Sequence, residues 1–435
     1  MTYNIGAYYF GGWVRNEPNI TWRPDPWAVN DTTNNIYLGD PEFAERKPLI
    51  GHYDEAKQWV MDHHINTAAD YGIDFFAFCF YWTGTSTYHF QALKNFMRSR
   101  FNHRMKFCIM FANHQRNACD SQAQWRGAVD FWIERCFNHP QYLKVNGKPV
   151  VKIFDMDTHF FKPGWAVQNH PTKTFVGPWT TGTSYSLNQI MVDSGNALGN
   201  GINAYYECNT AHTAAASLAT DAAKWTFLIF ASNIQKSDGM KWMLDDARSR
   251  AQAAGHAGIY FVGSSGAHPF WLTTPNMILK RAGFDAFSQY RAPFTFTSQD
   301  PPNGAATQTA TWKTYEETDL GHRADWDWCL ANSDAALKFW PPFHAGYDKA
   351  AWTSAALRPT RTTIAMPTVP QFRSHCVALK QRLDASPTKT DQTAICYAWN
   401  EIGEGGFLAP SRKYGFRLLE SIRNTFGVRN PARRL

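Results

Sequence analysis

The run from Ile73 to Trp82 is apolar almost without interruption, too short to span a membrane and too continuous for a strand with one wet face. A strand of this kind is covered on both sides, as in a parallel sheet packed between helices. Comparable runs recur at Asn4 to Phe10, Lys106 to Ala112, Val150 to Phe154, Gly258 to Gly263, Phe284 to Tyr290, Lys338 to Phe343 and Ala394 to Trp399. Segments with helical spacing separate them. Ala56, Trp59, Val60 and His63 mark a first helix to about Tyr71, and further helices are predicted over Phe90 to Phe101, Trp125 to Phe137, Lys241 to Ala254, Asn276 to Arg281, Ala324 to Ala331, Val369 to Leu383 and Tyr414 to Phe426. The helix at Val369 has a start signal, with Thr368 placed to cap and Gln371 to reach back, and a stripe of Phe372, Cys376, Leu379 and Leu383. Strands alternating with helices pair in parallel through right-handed crossovers, and roughly eight such units predict a (β/α)8 TIM barrel.

One stretch breaks the rhythm. Residues 157–238 separate the fourth strand from the next clear helix and read as an insertion within a single catalytic domain of residues 1–435. It holds Trp179, Glu207 as a candidate third carboxylate, and an alanine-rich segment, Thr213 to Lys224, predicted as helix. A lid or specificity subdomain and a purely structural one fit it equally.

The run from Ala394 ends in Trp399-Asn400-Glu401-Ile402-Gly403-Glu404-Gly405-Gly406, so two carboxylates sit just past the carboxyl end of a strand. In a parallel barrel that is the face where active sites are built. Glu401 and Glu404 suit general acid and base work, and the glycines would let a ligand approach the backbone; an acidic surface turn is the plainer reading. Trp399 and Asn400 offer an aromatic platform and an amide to a sugar ring, although Trp399 is also ordinary core material. Tyr8, Trp82, Asn113, His114 and Asp155 leave other strands at this face and are candidate substrate contacts. His344, Tyr347 and Asp348 follow the seventh strand, where Asp348 could equally cap a helix or loop. His63 and His64 read as structural histidines within a helix.

Aromatic residues make up 15% of the 435, with 18 Trp, which suits stacking on sugars but also simple core filling. The formal charge of +7 arises from 43 basic and 36 acidic residues without a long run, so no nucleic-acid partner is expected; only Arg429, Arg433 and Arg434 come near a cluster. The eight cysteines lack metal-binding spacing and read as buried free thiols, leaning towards a reducing compartment. No metal, cofactor or membrane span is expected. The first residues run directly into a strand without a basic leader, so no signal peptide is expected and a cytoplasmic location is favoured.

The motif from Trp399 to Gly405 resembles that of glycoside hydrolase family 99 and the wider family 99-like or WbsX-like proteins of polysaccharide gene clusters. Tyr8-Tyr9 with Gly12-Trp13, the Arg46 to Asp54 segment, Gly147-Lys148-Pro149-Val150, Gly346-Tyr347-Asp348 and Tyr414-Gly415-Phe416 with Leu419 resemble other marks of that group, in its usual order. The resemblance implies a (β/α)8 barrel, and in family 99 itself retaining cleavage of α-mannosidic linkages inside chains. It further implies that Glu401 takes the proton from the sugar's own 2-hydroxyl, which attacks the anomeric carbon, and that Glu404 protonates the leaving oxygen and then activates water. Residues this close in sequence reach one edge of a ring more easily than they bracket it, unlike the ordinary carboxylate pair. Glu404 would need a raised pKa to hold its proton. Ile402 stands where the group has an aromatic residue, so the resemblance carries the reaction class further than the sugar.

The expectation is therefore a retaining, endo-acting glycoside hydrolase with a carbohydrate substrate. A WbsX-like glycosyltransferase or polysaccharide-biosynthesis protein is the first alternative, with Asp155-Met156-Asp157 as a weak metal-motif candidate, and a non-catalytic carbohydrate-binding protein the second.

Overall fold

Eight parallel strands carry the architecture, and the seventh explains how the sheet closes. They are β1 (Asn4–Tyr9), β2 (Phe75–Trp82), β3 (Lys106–Phe111), β4 (Lys148–Ile153), β5 (Tyr260–Ser264), β6 (Ala286–Ser288), β7 in two segments (Lys338–Phe339 and Pro342–His344) and β8 (Thr393–Tyr397). The first segment of β7 pairs with β6 and the second with β8, while β8 pairs onward with β1. The two open ends of the ladder are thus consecutive pieces of one strand, and the sheet closes as a (β/α)8 barrel. Pro341 and Pro342 lie at the division, where the missing N–H groups stop one ladder from running through. In this computed structural model the described residues are 2–428, leaving out 19, 21–22, 114–118, 120–121, 155–172, 196, 199–203, 229–232, 265–271, 273–277, 291–311, 355 and 357–362.

All of β2 is buried, as its unbroken apolar sequence requires. The covering helices are α1 (Gln58–Asp70), α2 (Gln91–Arg98), α3 (Gln122–Trp132, continued by a wider turn at Ile133–Phe137), α4 (Asn233–Ala253), α5 (Ile278–Ala282), α6 (Tyr315–Asn332), α7 (Val369–Ala385) and α8 (Arg417–Phe426). In α7 the Thr368 hydroxyl accepts from Gln371 N–H and the Gln371 carbonyl oxygen returns to Thr368, and the expected stripe is buried. Helix α4 begins at Asn233, ahead of the expected Lys241, and two further helices differ from expectation. In α1 the buried face is Val60, Met61, His64, Ile65 and Ala68, so Trp59 is turned outward at 53% exposure. Helix α6 starts well before Ala324, because Thr314 and Glu317 form a second capping box, with Glu317 N–H on the Thr314 hydroxyl at 3.2 Å and Thr314 N–H on the Glu317 carboxylate at 2.7 Å.

The insertion is a sheet rather than the expected alanine-rich helix. Ala204–Cys208 lies between Trp225–Leu228 and Gln189–Asp193, and Thr174–Pro178 extends the far edge. Tyr185, Met191, Tyr206, Cys208, Leu218 and Trp225 give it a core of its own. Within the supposed helix, His212–Thr213 is a strand and Leu218–Lys224 a short 3-10 helix capped by Ser217. Glu207 is paired with Lys173 in this sheet. All eight cysteines are free and buried, and among the described residues no helix is long and apolar enough to cross a membrane.

Candidate active site

After β8 the chain passes a cis peptide between Tyr397 and Ala398, then turns sharply, Asn400 pairing with Phe407 and Glu401 with Gly406 in a short antiparallel ladder. Asn400 fixes the start of this turn. Its Nδ2 donates to the Phe10 carbonyl at 2.8 Å and to Glu55 Oε1 at 3.1 Å, while its Oδ1 accepts from Phe10 N–H at 2.8 Å. Trp13 Nε1 donates to the Asn400 carbonyl at 3.0 Å. The buried amide is therefore fully used in tying the end of β8 to the end of β1, which corrects its expected role as a sugar contact.

Glu55 is the far post of this clamp. It accepts from Trp13 N–H at 3.1 Å and from the Tyr9 phenol at 2.8 Å, and burial pushes its carboxyl up to about 8. His64 lies on the other side of the Tyr9 phenol at 2.8 Å, so it is a structural histidine as expected.

The glycines of the turn make room for the protein's own groups rather than for a ligand. A Cβ on Gly403 would lie 2.0 Å from the Trp352 ring, and one on Gly406 would lie 2.2 Å from the Tyr397 ring. Gly405 has φ of 69° and passes beside the backbone of Asp348, whose N–H donates to the Glu404 carbonyl at 2.6 Å. Arg46 locks the back of the turn, with Nη2 on Asp348 Oδ2 at 2.7 Å and Nη1 on the carbonyls of Asp348 and Ile402 at 2.8 and 3.4 Å. Asp348 also caps the 3-10 turn Lys349–Trp352 through Ala350 N–H. It is thus a cap and an ion-pair partner.

Glu401 is buried at 4% exposure, with Oε1 accepting from the Tyr290 phenol at 3.0 Å and Oε2 without a partner among the described residues. Burial first, and then the charge of Glu404, hold its carboxyl well above the usual carboxylate range; the Tyr290 bond and the Arg23 guanidinium act the other way. Glu404 is only partly buried and accepts from the Tyr397 phenol. Desolvation thus raises the carboxyl expected to act as the base of the pair.

The remaining candidates divide by the pleat of their strands. Tyr8 points into the barrel, donating to the Gln289 carbonyl at 3.0 Å, with its ring 4.7 Å from that of Tyr290. Trp82 points the other way, packing on Phe80 and on Phe131 of α3, so it lines the outer layer instead of the expected site. Trp399 is fully buried between Phe76 and His64 of α1, where no ring can stack on it. His344 likewise lies behind the wall, its ring against His322 of α6 and His375 of α7, with Nδ1 accepting from Gly346 N–H at 3.0 Å. Tyr347 is brought to the site, with its ring 6.2 Å from that of Tyr397, and Asn113 is buried at the exit of β3. His114, Asp155 and the Asp155-Met156-Asp157 triplet lie outside the described residues, as do Arg429, Arg433 and Arg434.

Several functional neighbours were missed. Tyr81, one residue before Trp82, takes the inward pleat position, where the charges of Glu401 and Glu404 reach it; counting alternation from Phe80 would have found it. Tyr290 was read only as a strand end. Lys152 of β4 is buried, donates to Ser264 Oγ at 2.9 Å, and lies 5.7 Å from the Tyr8 ring; burial lowers its amine to about 7. A lysine within an apolar strand is a readable signal. Arg23, in an aperiodic loop, gave none.

Residues 43–165 and 203–422 match the family model described as Glycosyltransferase WbsX. The chain belongs to the WbsX family. The interruption in the match falls within the insertion, and the matched residues take in β2 to β8 and the turn that carries the two carboxylates. Among solved structures, this WbsX-family chain is similar in fold to the GH99 endo-alpha-mannosidase from Bacteroides thetaiotaomicron, at 13% identity and TM-score 0.51 over 97% of both chains. The same enzyme in complex with BIS-TRIS-propane aligns at 13% identity and TM-score 0.50, over 96% of this chain and 95% of that one. A structure described as a glycoside hydrolase-like protein aligns at 14% identity and TM-score 0.53, over 98% and 94%. No curated protein compared with the chain matches it.

Proposed function

We propose that this WbsX-family protein is a retaining glycoside hydrolase that cleaves an α-linked polysaccharide or glycan within the chain, using Glu401 and Glu404. The observation that carries the reading is that both carboxyls arise from one tight turn at the barrel mouth, each held by a different tyrosine. Carboxyls anchored so closely address one edge of a bound ring, which disfavours a nucleophile and an acid on opposite faces. A participating 2-hydroxyl removes the need for a second face. Glu401 takes the hydroxyl proton as O2 bonds to the anomeric carbon, and the bond to the leaving oxygen breaks as Glu404 gives up its proton. Water then opens the 1,2-anhydro ring, losing a proton to Glu404 while Glu401 returns one to O2. Tyr290 and Tyr397 orient the two carboxyls, and Tyr8, Tyr81 and Tyr347 supply aromatic walls. The fold shared with endo-alpha-mannosidase structures supports a mannan-like substrate, whereas Ile402 and the insertion leave the sugar open.

The description of the matched family favours a second reading, in which a sugar hydroxyl instead of water opens the intermediate and the net reaction is glycosyl transfer. Incubating the purified protein with defined mannans, glucans and bacterial polysaccharides, followed by chromatography of the products, separates the two. Shorter fragments with retained anomeric configuration support hydrolysis, and elongated products support transfer. Unchanged glycan across the panel, with or without an acceptor, counts against both and favours a binding protein.

A further inference from the structure

We propose that Arg23 is the counter-charge of Glu401, a positioning residue that stabilises the ionised carboxylate from inside an aromatic cage so that Glu401 can serve as the base of the pair. The proposal rests on the reading of Glu401 given above. Arg23 is 3% exposed, and its guanidinium carbon lies 4.2 Å from the Trp352 ring centroid, 4.9 Å from Trp13 and 5.0 Å from Phe10. These rings surround the turn. Phe10 and Trp13 are bonded to Asn400 on one side of Glu401, and Trp352 lies on Gly403 on the other.

Nε and Nη2 of Arg23 have no hydrogen-bond partner among the described residues. They form one edge of the guanidinium, with parallel N–H groups of the kind that face a carboxylate. Cation–π contact contributes about 0.5–2 kcal/mol, which is small beside the several kcal/mol of burying a cation. A carboxylate is therefore needed nearby, and three act on Arg23: Glu401 most strongly, then Glu55 and Glu17. Both oxygens of Glu55 are already taken, Oε1 by the Tyr9 phenol and Asn400 Nδ2 and Oε2 by Trp13 N–H. Glu17 accepts from His89 N–H and lies against the His89 ring. That leaves Glu401, whose Oε2 is itself unpartnered among the described residues. The other titratable groups around Glu401 are Glu404, Glu55, Tyr290, Cys79, Tyr81, Tyr397 and Tyr53, none of them a cation. Arg23 is the group there that favours the carboxylate by charge.

The test is the titration of Glu401 itself, followed by carbon-13 NMR in protein labelled at the glutamate side-chain carboxyls and assigned by the signal lost in Glu401→Gln. Arg23→Met and Arg23→Gln, two neutral variants of different shape, should raise the Glu401 midpoint by about one to three pH units, while Arg23→Lys should bring it back towards wild type. An unchanged midpoint in a folded neutral variant, or a lysine variant that titrates like the methionine one, overturns the proposal. The titration needs no turnover. A protein that cleaves no glycan would thus count against the proposed function while leaving this result to be judged alone.

Discussion

The Tyr290 phenol donates to Glu401 Oε1 at 3.0 Å, across 111 positions of sequence, while the Tyr397 phenol, with its ring 5.1 Å from that of Tyr290, donates to Glu404. One tyrosine thus serves each carboxyl, and the Tyr290 bond favours the ionised form of Glu401. Tyr290→Phe should raise the proton affinity of Glu401, since it removes a donor to the charged form. In the proposed enzyme the acid limb of the kcat/KM profile then moves to higher pH. A hydrogen bond to a charged group is worth about 1.5–3 kcal/mol, so turnover should fall by about 10-fold to 100-fold. A pH–rate profile of the variant that superimposes on wild type would show that Tyr290 does not tune the pair.

The Arg46–Asp348 pair carries the position of the turn. Both side chains are largely sheltered, at 8% and 19% exposure, and Arg46 reaches the Ile402 carbonyl as well. Asp348→Ala leaves a buried guanidinium and removes the cap on Ala350, so it should cost about 3–5 kcal/mol in urea denaturation. Asp348→Asn keeps an oxygen for Ala350 N–H and should cost less. Equal losses for the two variants would assign the effect to the charge alone.

Acid should weaken the fold through histidines buried in neutral form. Burial lowers His64 and His344 to about 3 each, against about 6.5 in an unfolded chain. Below pH 6.5 the unfolded state takes up protons that the folded state refuses, so this stability is complete above that pH and is lost as pH falls towards 3. Each histidine contributes a slope of up to about 1.4 kcal/mol per pH unit. Urea unfolding at pH 7.5, 6 and 5 should show the decline, and His344→Gln should flatten it by one histidine's share whatever its absolute stability. A slope unchanged by that substitution would contradict the assignment.

How much of this was legible in the sequence depended on whether burial leaves a local signal. The barrel strands were readable because strands covered on both faces must be apolar throughout, and Thr368 with Gln371 announced α7. The same signal at Thr314 and Glu317 went unread, because few apolar residues follow it. The insertion misled because its alanines suggested a helix, while its short strands alternate too weakly to be seen. At the site, position at a strand end marked candidates without saying which of them face the ligand. Pleating divides them, turning Tyr8 and Tyr81 inward and sending Trp82 to the helices. Trp399 and His344 are likewise spent behind the wall. Asn400 was found, but its amide closes a strand-to-strand clamp that depends on Phe10 and Glu55, which no local pattern reveals. Arg23 depends on contacts from three distant segments.

The central claim is that Glu401 and Glu404 act together on one glycosidic bond. Its most direct test is kcat/KM of Glu401→Gln and Glu404→Gln on a glycan the wild type cleaves, each variant first shown to be folded by circular dichroism. Removing a general acid or base costs about 10²-fold to 10⁴-fold, and each variant should lose at least that much. Near-wild-type cleavage by either one would contradict the account.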